Sequence, residues 1–252
     1  TRDHGESWYF PETIPVAQVY HVSVDQDRPY NVYVGMQDNG NWSGPGYTWK
    51  RGGIRTLYWQ YLVGGDGFYI EPDLENSRFG YGTSQNGNLY RYDKVSGYYN
   101  SIKPHNTVSK TILRFNWNAA LAKNPFNLNS LYYGSQFVHK SIDGGQTWRI
   151  ISKDLTTNNP EYQKQGESGG LTMDATGAEN YCTILVTEPS PIQKGLLWTG
   201  SDDGQVNITK NGGDDWQNIT KNIPMPSGAW INQIKASHHN PSEALIVVND
   251  YR

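Results

Sequence analysis

Short runs of apolar and aromatic residues alternate along the chain with polar turns rich in glycine, asparagine and aspartate. One run recurs four times and places Tyr or Trp one or two positions before a glycine, at residues 31–35, 79–82, 131–134 and 196–200. A polar stretch precedes each run, and a turn and another apolar run follow it. Short runs bounded by turn residues and rich in aromatic side chains predict β-strands.

A second repeat is an eight-residue turn that ends in Trp, at residues 1–8, 141–148 and 209–216; we call these the box turns. Their shared positions are Asp3, Gly5, Trp8, Asp143, Gly145, Trp148, Asn211, Gly213 and Trp216. In such a turn Asp or Asn accepts hydrogen bonds from nearby backbone, Gly takes positive φ and Trp packs beneath. We expect structural turns and no metal site, because the acidic ligands of a calcium loop are missing.

The two repeats follow one another in a fixed order. Together they define a unit of four strands, in which the second strand carries the Tyr or Trp and the glycine, and the box turn joins the third strand to the fourth. Four antiparallel strands in ~50 residues are typical of a propeller blade. The sequence therefore predicts an all-β fold, a β-propeller of about four blades with incomplete terminal blades.

The two ends of the chain fall inside predicted blades. Residues 1–8 form a box turn without the earlier strands of its blade, and residues 229–236 and 244–248 supply only the first two strands of another. We therefore expect residues 1–252 to be a fragment of one larger β-propeller region, whose remaining chain is its partner. The alternative is that the partial blades combine into a closed five-bladed ring.

Composition excludes several classes of protein. Nine Trp, 18 Tyr and six Phe argue against a disordered chain. A net charge of −3, with no basic run longer than two residues, argues against a nucleic-acid partner and a polybasic membrane anchor. No apolar run approaches the ~20 residues of a membrane helix, so we expect no direct membrane insertion. No motif indicates a cofactor, and the single Cys182 is predicted to be an inert buried thiol.

The box turns resemble the Asp-box, or BNR, repeats of sialidases, xyloglucanase-type glycoside hydrolases and sortilins. The chain as a whole resembles a family of large secreted bacterial proteins described as sortilin-like or BNR glycosyl hydrolase-like. The segments that carry this resemblance are 19–25, 37–40, 64–67, 114–118, 181–184 and 198–204. The resemblance implies a secreted, outer-cell-surface or periplasmic propeller and does not imply one activity.

Strand alternation places the box turns and the turns between second and third strands at opposite ends of a blade. Loops held by a rigid scaffold commonly carry function. We therefore predict a functional loop face, formed by turns 37–40, 84–87 and 202–204 and by the connections between blades, including the long segment 152–180. Its candidate ligand contacts are Asp38, Asn39, Asp66, Asp202 and Asp203. The same residues also suit ordinary β-turns.

Residues 112–118 are predicted to form an innermost strand with Arg114, Asn116 and Trp117 facing a central channel. Amide and aromatic groups there suit recognition of a sugar or a peptide. The alternative is that Trp117 packs between blades. His21 is predicted to be a satisfied core histidine rather than a ligand.

Two functions follow from these patterns. The leading hypothesis is a binding or scaffold module whose loop face holds a protein or carbohydrate ligand. The alternative is a glycoside hydrolase that uses Asp38, Asp66 and Asp202, which requires two carboxyl groups ~5–10 Å apart. The resemblance to xyloglucanase-type enzymes places Gln85 where those enzymes carry a catalytic Asp. An amide is no general base, so this comparison weakens the hydrolase hypothesis.

Overall fold

The computed structural model of the protein describes residues 3–8, 17–105, 111–164 and 180–250. Within those ranges eighteen β-strands form five antiparallel sheets, and helical structure is limited to three short 3-10 turns. No helix in the described part of the chain is long and apolar enough to cross a membrane. The predicted all-β fold is confirmed: four four-stranded sheets are arranged as the blades of a propeller.

The strands follow one another in simple order within each blade. The first blade comprises β1 (Val19–Val24), β2 (Asn31–Met36), β3 (Gly40–Pro45) and β4 (Gln60–Val63). The second comprises β5 (Ile70–Pro72), β6 (Phe79–Ser84), β7 (Asn88–Asp93) and β8 (Tyr98–Ser101). The third comprises β9 (Leu121–Lys123), β10 (Leu131–Gly134), β11 (Val138–Ser141) and β12 (Arg149–Ile150). The fourth comprises β13 (Ile184–Pro189), β14 (Leu197–Ser201), β15 (Val206–Thr209) and β16 (Gln217–Asn218), and the fifth sheet pairs β17 (Trp230–Ala236) with β18 (Ala244–Asn249).

The predicted register of the repeats is confirmed. The four Tyr or Trp residues of the first repeat lie on β2, β6, β10 and β14, the second strands of the four blades. The box turns 141–148 and 209–216 join third strands to fourth strands. The turns at 37–39, 85–87 and 202–205 therefore lie at the opposite ends of the blades.

The apolar core lies between consecutive blades. Each of four buried clusters joins one blade to the next, and their members include Tyr33 with Ile70, Leu89 with Tyr133, Tyr132 with Ile184, and Trp198 with Ile231. A sheet buries its two faces only against other layers, so each blade depends on its neighbours for its core.

The glycine of the first repeat permits this packing. A Cβ on Gly134 would lie 2.9 Å from Ile184 Cγ2, on the first strand of the next blade. Gly200 meets Ile231 of the fifth sheet in the same way. Glycine within a strand often marks such a close approach of a neighbouring element.

The box turns are closed by their own polar side chains. In the turn 141–148, Asp143 accepts hydrogen bonds from the Thr147 N–H at 2.9 Å and the Thr147 hydroxyl at 2.5 Å. The Ser141 hydroxyl donates to Asp143 at 2.7 Å and accepts from the Gly145 N–H at 2.8 Å. These donors lower the pKa of Asp143 to about 2. The Asp143 carboxylate thus makes its hydrogen bonds within its own turn.

The tryptophan of a box turn connects two blades. The Trp148 indole N–H donates to the Ile102 carbonyl at 2.8 Å, and Trp216 donates to the Ile151 carbonyl at 2.8 Å. Both carbonyls lie directly after the fourth strand of the preceding blade. Trp8 occupies the same position in the first box turn and is 80% exposed.

One predicted strand is wrong. Residues 112–118 are irregular, and the third blade begins at β9 instead. The backbone of this segment is satisfied by a side chain: Gln136 accepts from the Arg114 N–H at 2.8 Å and donates to the Ile112 carbonyl at 2.9 Å. The amide thus takes the place of a neighbouring strand.

We expect Trp148→Ala to lower the free energy of unfolding by roughly 2–4 kcal/mol, because a half-buried indole and its hydrogen bond to the preceding blade are lost. The matched control is Trp8→Ala, at the same position of an exposed box turn, with an expected change of less than ~0.5 kcal/mol. Urea unfolding of the two variants measures the difference. Equal losses for the two tryptophans would contradict the connecting role.

Candidate binding cavity

A cavity of about 760 Å³ lies where the innermost strands β1, β13 and β17 meet the segment that precedes β9. The residues that line it are Tyr20, His21, Val22, Gln37, Asn116, Trp117, Asn118, Asn180, Tyr181, Leu185, Trp230, Asn232 and Gln233. They come from distant parts of the sequence, so the propeller arrangement of the sheets is what brings them together.

Each of the three innermost strands carries an irregularity at the cavity. The pairing of β1 with β2 shifts between Val19 and His21, that of β13 with β14 between Ile184 and Val186, and that of β17 with β18 between Ile231 and Gln233. The residues inside these three shifts, Tyr20, Leu185 and Asn232, all line the cavity. A bulge redirects a side chain and frequently occurs beside a functional site.

The described wall of the cavity is polar and uncharged. Six of its side chains are amides, four are Tyr or Trp, and none is Asp, Glu, Lys or Arg.

Burial lowers the pKa of His21 to about 4, so the imidazole is neutral at pH 7. The ring stacks on Tyr69 with centroids 3.7 Å apart and is hydrogen-bonded to Asn118 at 3.1 Å. His21 is thus satisfied, as predicted, but it stands in the cavity wall.

A chain of hydrogen bonds runs beneath the cavity from the fourth blade to the first. The Asn116 amide N–H donates to Asp202 at 3.1 Å, and the Asn116 amide oxygen accepts from the Asn118 N–H at 3.0 Å. The Asn118 side chain then contacts His21. The two predicted candidates Asn116 and Asp202 are therefore in direct contact, and Asn116 also lines the cavity.

Asp202 is fully buried in the turn between β14 and β15. Its carboxyl group also accepts from the Thr183 N–H at 2.9 Å and from the Thr183 hydroxyl. Burial outweighs these donors and raises the pKa of Asp202 to about 7. The neighbouring Asp203 carboxylate acts in the same direction.

Asp203 and Arg114 both form polar contacts with the connection between the third and fourth blades. Asp203 accepts from the N–H and hydroxyl of Thr157 at 2.7 and 2.6 Å, which ties the connection between the third and fourth blades to this turn. Arg114 forms an ion pair with Asp154 at 2.8 Å and donates to the Cys182 carbonyl. Neither side chain is among the residues that line the cavity.

Three other predicted residues lie in a separate, shallower depression of about 400 Å³ between the first two blades. Asp38 has a positive φ of 58°, and its N–H donates to the Asp66 carboxylate at 2.9 Å. The Asp66 N–H donates in turn to the Gln85 amide oxygen at 2.9 Å. Asn39 and Tyr61 also line this depression. The structure therefore divides the predicted loop-face residues into two groups.

Sequence reasoning missed part of the cavity wall, above all Tyr20, Tyr181, Trp230 and Asn232. A signal was present in β17, where Trp230 and Asn232 alternate with buried Ile231. The predicted loop segment 152–180 includes residues 165–179, which lie outside the described residues; its described part reaches Asp203 through Thr157.

Metal-binding and thiol chemistry find no support in the described ranges. No group of three or more His, Cys, Asp or Glu side chains there is placed to hold a metal ion. Burial raises the pKa of Cys182 to about 11, so its thiol is protonated at pH 7.

An all-β propeller with a central cavity, whose described wall carries no charged side chain, is the class of protein that these observations define. Comparison with models of known families and with curated proteins gives no match. Among solved structures, the chain is similar to a GH74 enzyme from Niastella koreensis, with a TM-score of 0.53 and 13% sequence identity. The similarity covers 92% of this chain and 33% of that one, so the chain spans about a third of the enzyme's length. At this identity the similarity shows the fold alone.

We expect the contribution of Asp202 to the free energy of unfolding to fall between about pH 4 and pH 7, against an opposite trend from His21 and His139, whose pKa values burial lowers to about 4. The carboxyl pKa is 3.8 in the reference state and about 7 in the fold. Between these values the folded state keeps a proton that the unfolded state has lost, so the Asp202 contribution decreases as the pH rises, by up to ~1.4 kcal/mol per pH unit. Asp202→Asn removes this contribution, so the stability of the variant is expected to rise more steeply with pH than that of the parent between pH 4 and 7. Urea unfolding at several pH values measures this difference.

The control for this experiment is Asp143→Asn. The pKa of Asp143 is lowered, so its contribution is present above 3.8 and is lost as the pH falls through about 2. The stability profile of this variant between pH 4 and 7 is therefore expected to run parallel to that of the parent. A parent protein and an Asp202→Asn variant with parallel profiles would show that Asp202 does not titrate in this window.

Proposed function

We propose that the protein is a carbohydrate-binding β-propeller that holds a neutral saccharide in the central cavity. The observation that carries this proposal is the wall of amides and aromatic rings without a described charged side chain. Amides both donate and accept hydrogen bonds, which matches the dual character of sugar hydroxyl groups. Aromatic faces such as those of Trp117 and Trp230 match the apolar C–H faces of a sugar ring.

The size of the cavity supports a short ligand segment. Its volume of about 760 Å³ falls within the range of ~300–1,000 Å³ for small-molecule pockets. Such a cavity takes a short oligosaccharide or the end of a longer chain. A peptide is the other candidate occupant, but the described part of the wall offers no charged partner for charged side chains or termini.

The second candidate function is glycoside hydrolysis, which Asp38 and Asp66 favour because they share one depression with Tyr61. Fold similarity to a GH74 enzyme is compatible with it. Three features weigh against it. Gln85 is an amide, one oxygen of Asp66 accepts the Asp38 N–H, and Asp202 is buried beneath the cavity with three hydrogen-bond donors around it.

The proposal of a carbohydrate-binding propeller includes an extracytoplasmic location and a kinship with sortilin-like proteins. Both of these rest on sequence resemblance.

We expect Trp117→Ala and Trp230→Ala each to weaken oligosaccharide binding about five- to tenfold, because stacking contacts worth ~1–1.5 kcal/mol are lost. A glycan array first identifies the saccharide, and calorimetry then measures its affinity for each variant. Tyr98→Ala is the control, since Tyr98 is an exposed aromatic residue on the outer strand of the second blade.

Three outcomes distinguish the alternatives. Equal binding by the parent, the cavity variants and the control would refute binding in the cavity. Release of chromophore from a glycoside panel, abolished by Asp38→Asn or Asp66→Asn, would establish the hydrolase. If no glycan binds, and a peptide binds in a manner that depends on Trp117, the ligand of the cavity is a protein segment and the saccharide proposal is wrong.

A further inference from the structure

The connection between β3 and β4, residues 46–59, differs in chemistry from the rest of the surface. It contains Lys50, Arg51 and Arg55 and no acidic residue, whereas the whole chain has a net charge of −3. None of the ion pairs among the described residues involves these three cations. The loop is therefore a compact positive patch on a protein that is negative overall.

The same loop exposes large apolar side chains. Trp49 is 90% exposed, which is the highest value among the large apolar residues described, and Leu57 is 73% exposed. Tyr47 and Ile54 are exposed as well. Scattered single apolar residues are ordinary on a surface, but several in one loop mark an interaction site.

The loop has a defined conformation that presents these groups. Gly52 and Gly53 have positive φ, and the Gly53 N–H donates to the Lys50 carbonyl at 3.2 Å. This turn brings Arg55 back to the Arg51 carbonyl at 3.4 Å. Trp49 packs edge-on against Tyr47 with ring centroids 4.9 Å apart. Cations separated in sequence thus share one surface with the exposed rings.

We infer that loop 46–59 docks the protein on an anionic lipid bilayer. Lys and Arg are attracted to acidic headgroups, while Trp and aliphatic side chains enter the boundary between headgroups and acyl chains. The aliphatic side chains favour a bilayer over a soluble polyanion, because a polyanion offers no apolar phase for Leu57 and Ile54. This is docking at the surface, without a segment that crosses the membrane. The sequence argued against a polybasic anchor because no basic run exceeds two residues, and the docking inferred here relies instead on three cations and exposed apolar side chains gathered in one loop.

The topology gives the docked protein an orientation. Loop 46–59 leaves the first blade at the end opposite the turn that carries Asp38, because β3 runs from one end to the other. Docking through this loop therefore leaves the depression around Asp38 and Asp66 directed away from the bilayer.

Vesicle sedimentation of the full chain tests the inference. We expect binding to phosphatidylcholine vesicles that contain roughly one third phosphatidylglycerol, little binding to phosphatidylcholine alone, and weakening as salt rises to about 0.5 M. Removing the cations with Lys50→Gln, Arg51→Gln and Arg55→Gln together is expected to weaken binding at least tenfold. Trp49→Ala combined with Leu57→Ser is expected to weaken it to a similar extent.

The matched control is Ile112→Ser, a side chain that is 82% exposed in the connection between the second and third blades, at the opposite end of the blades from loop 46–59. This variant is expected to bind like the parent, and thermal unfolding verifies that every variant is folded. A parent that ignores anionic vesicles overturns the inference. A second result also overturns the inference: the Trp49→Ala, Leu57→Ser variant binds the vesicles as tightly as the parent, and soluble heparin displaces both proteins. That result would identify the loop as a site for a soluble polyanion.

Discussion

Packing of each blade against the next is the constraint on which the structure depends. The buried clusters lie between sheets, and residues such as Gly134 and Gly200 are glycines because the first strand of the following sheet approaches so closely. The tryptophans of the box turns reinforce the same junctions at the outer rim, through hydrogen bonds to the preceding blade. A blade removed from its neighbours would expose both faces, so stability is shared among blades rather than held within each.

The cavity is a consequence of this packing. The innermost strands of three sheets converge, and each carries a bulge whose extra residue turns towards the space between them. In β13 and β17 the neighbouring residues Ile184, Val186, Ile231 and Ile234 belong to the apolar clusters between blades. A bulge changes the direction of a side chain locally, so in these two strands adjacent residues build the cavity wall and the apolar core.

A buried polar network connects this wall to a titratable group. Asp202 holds the Asn116 amide, which positions Asn118, which in turn holds His21. Ionised Asp202 accepts hydrogen bonds from all its donors, whereas a protonated carboxyl group must place its own hydrogen among them. Burial raises the pKa of Asp202, because an ionised carboxylate is unfavourable in this buried position. The hydrogen bonds that hold the cavity wall therefore depend on a group whose ionisation lowers the stability of the folded state.

Sequence alone determined the strand order within a blade, the second strands and the box turns, because their signals are local: glycine, turn residues and aromatic periodicity act within about ten residues. It also placed Asn116, Trp117 and Asp202 among the candidates. Only the tertiary structure decided how they meet, since His21 and Asn118 are 97 residues apart and Asn116 and Asp202 are 86 apart. The predicted strand at 112–118 was wrong because a distant glutamine amide satisfies its backbone. The bulges that aim Tyr20 and Asn232 depend on pairing with neighbouring strands, which no local pattern records.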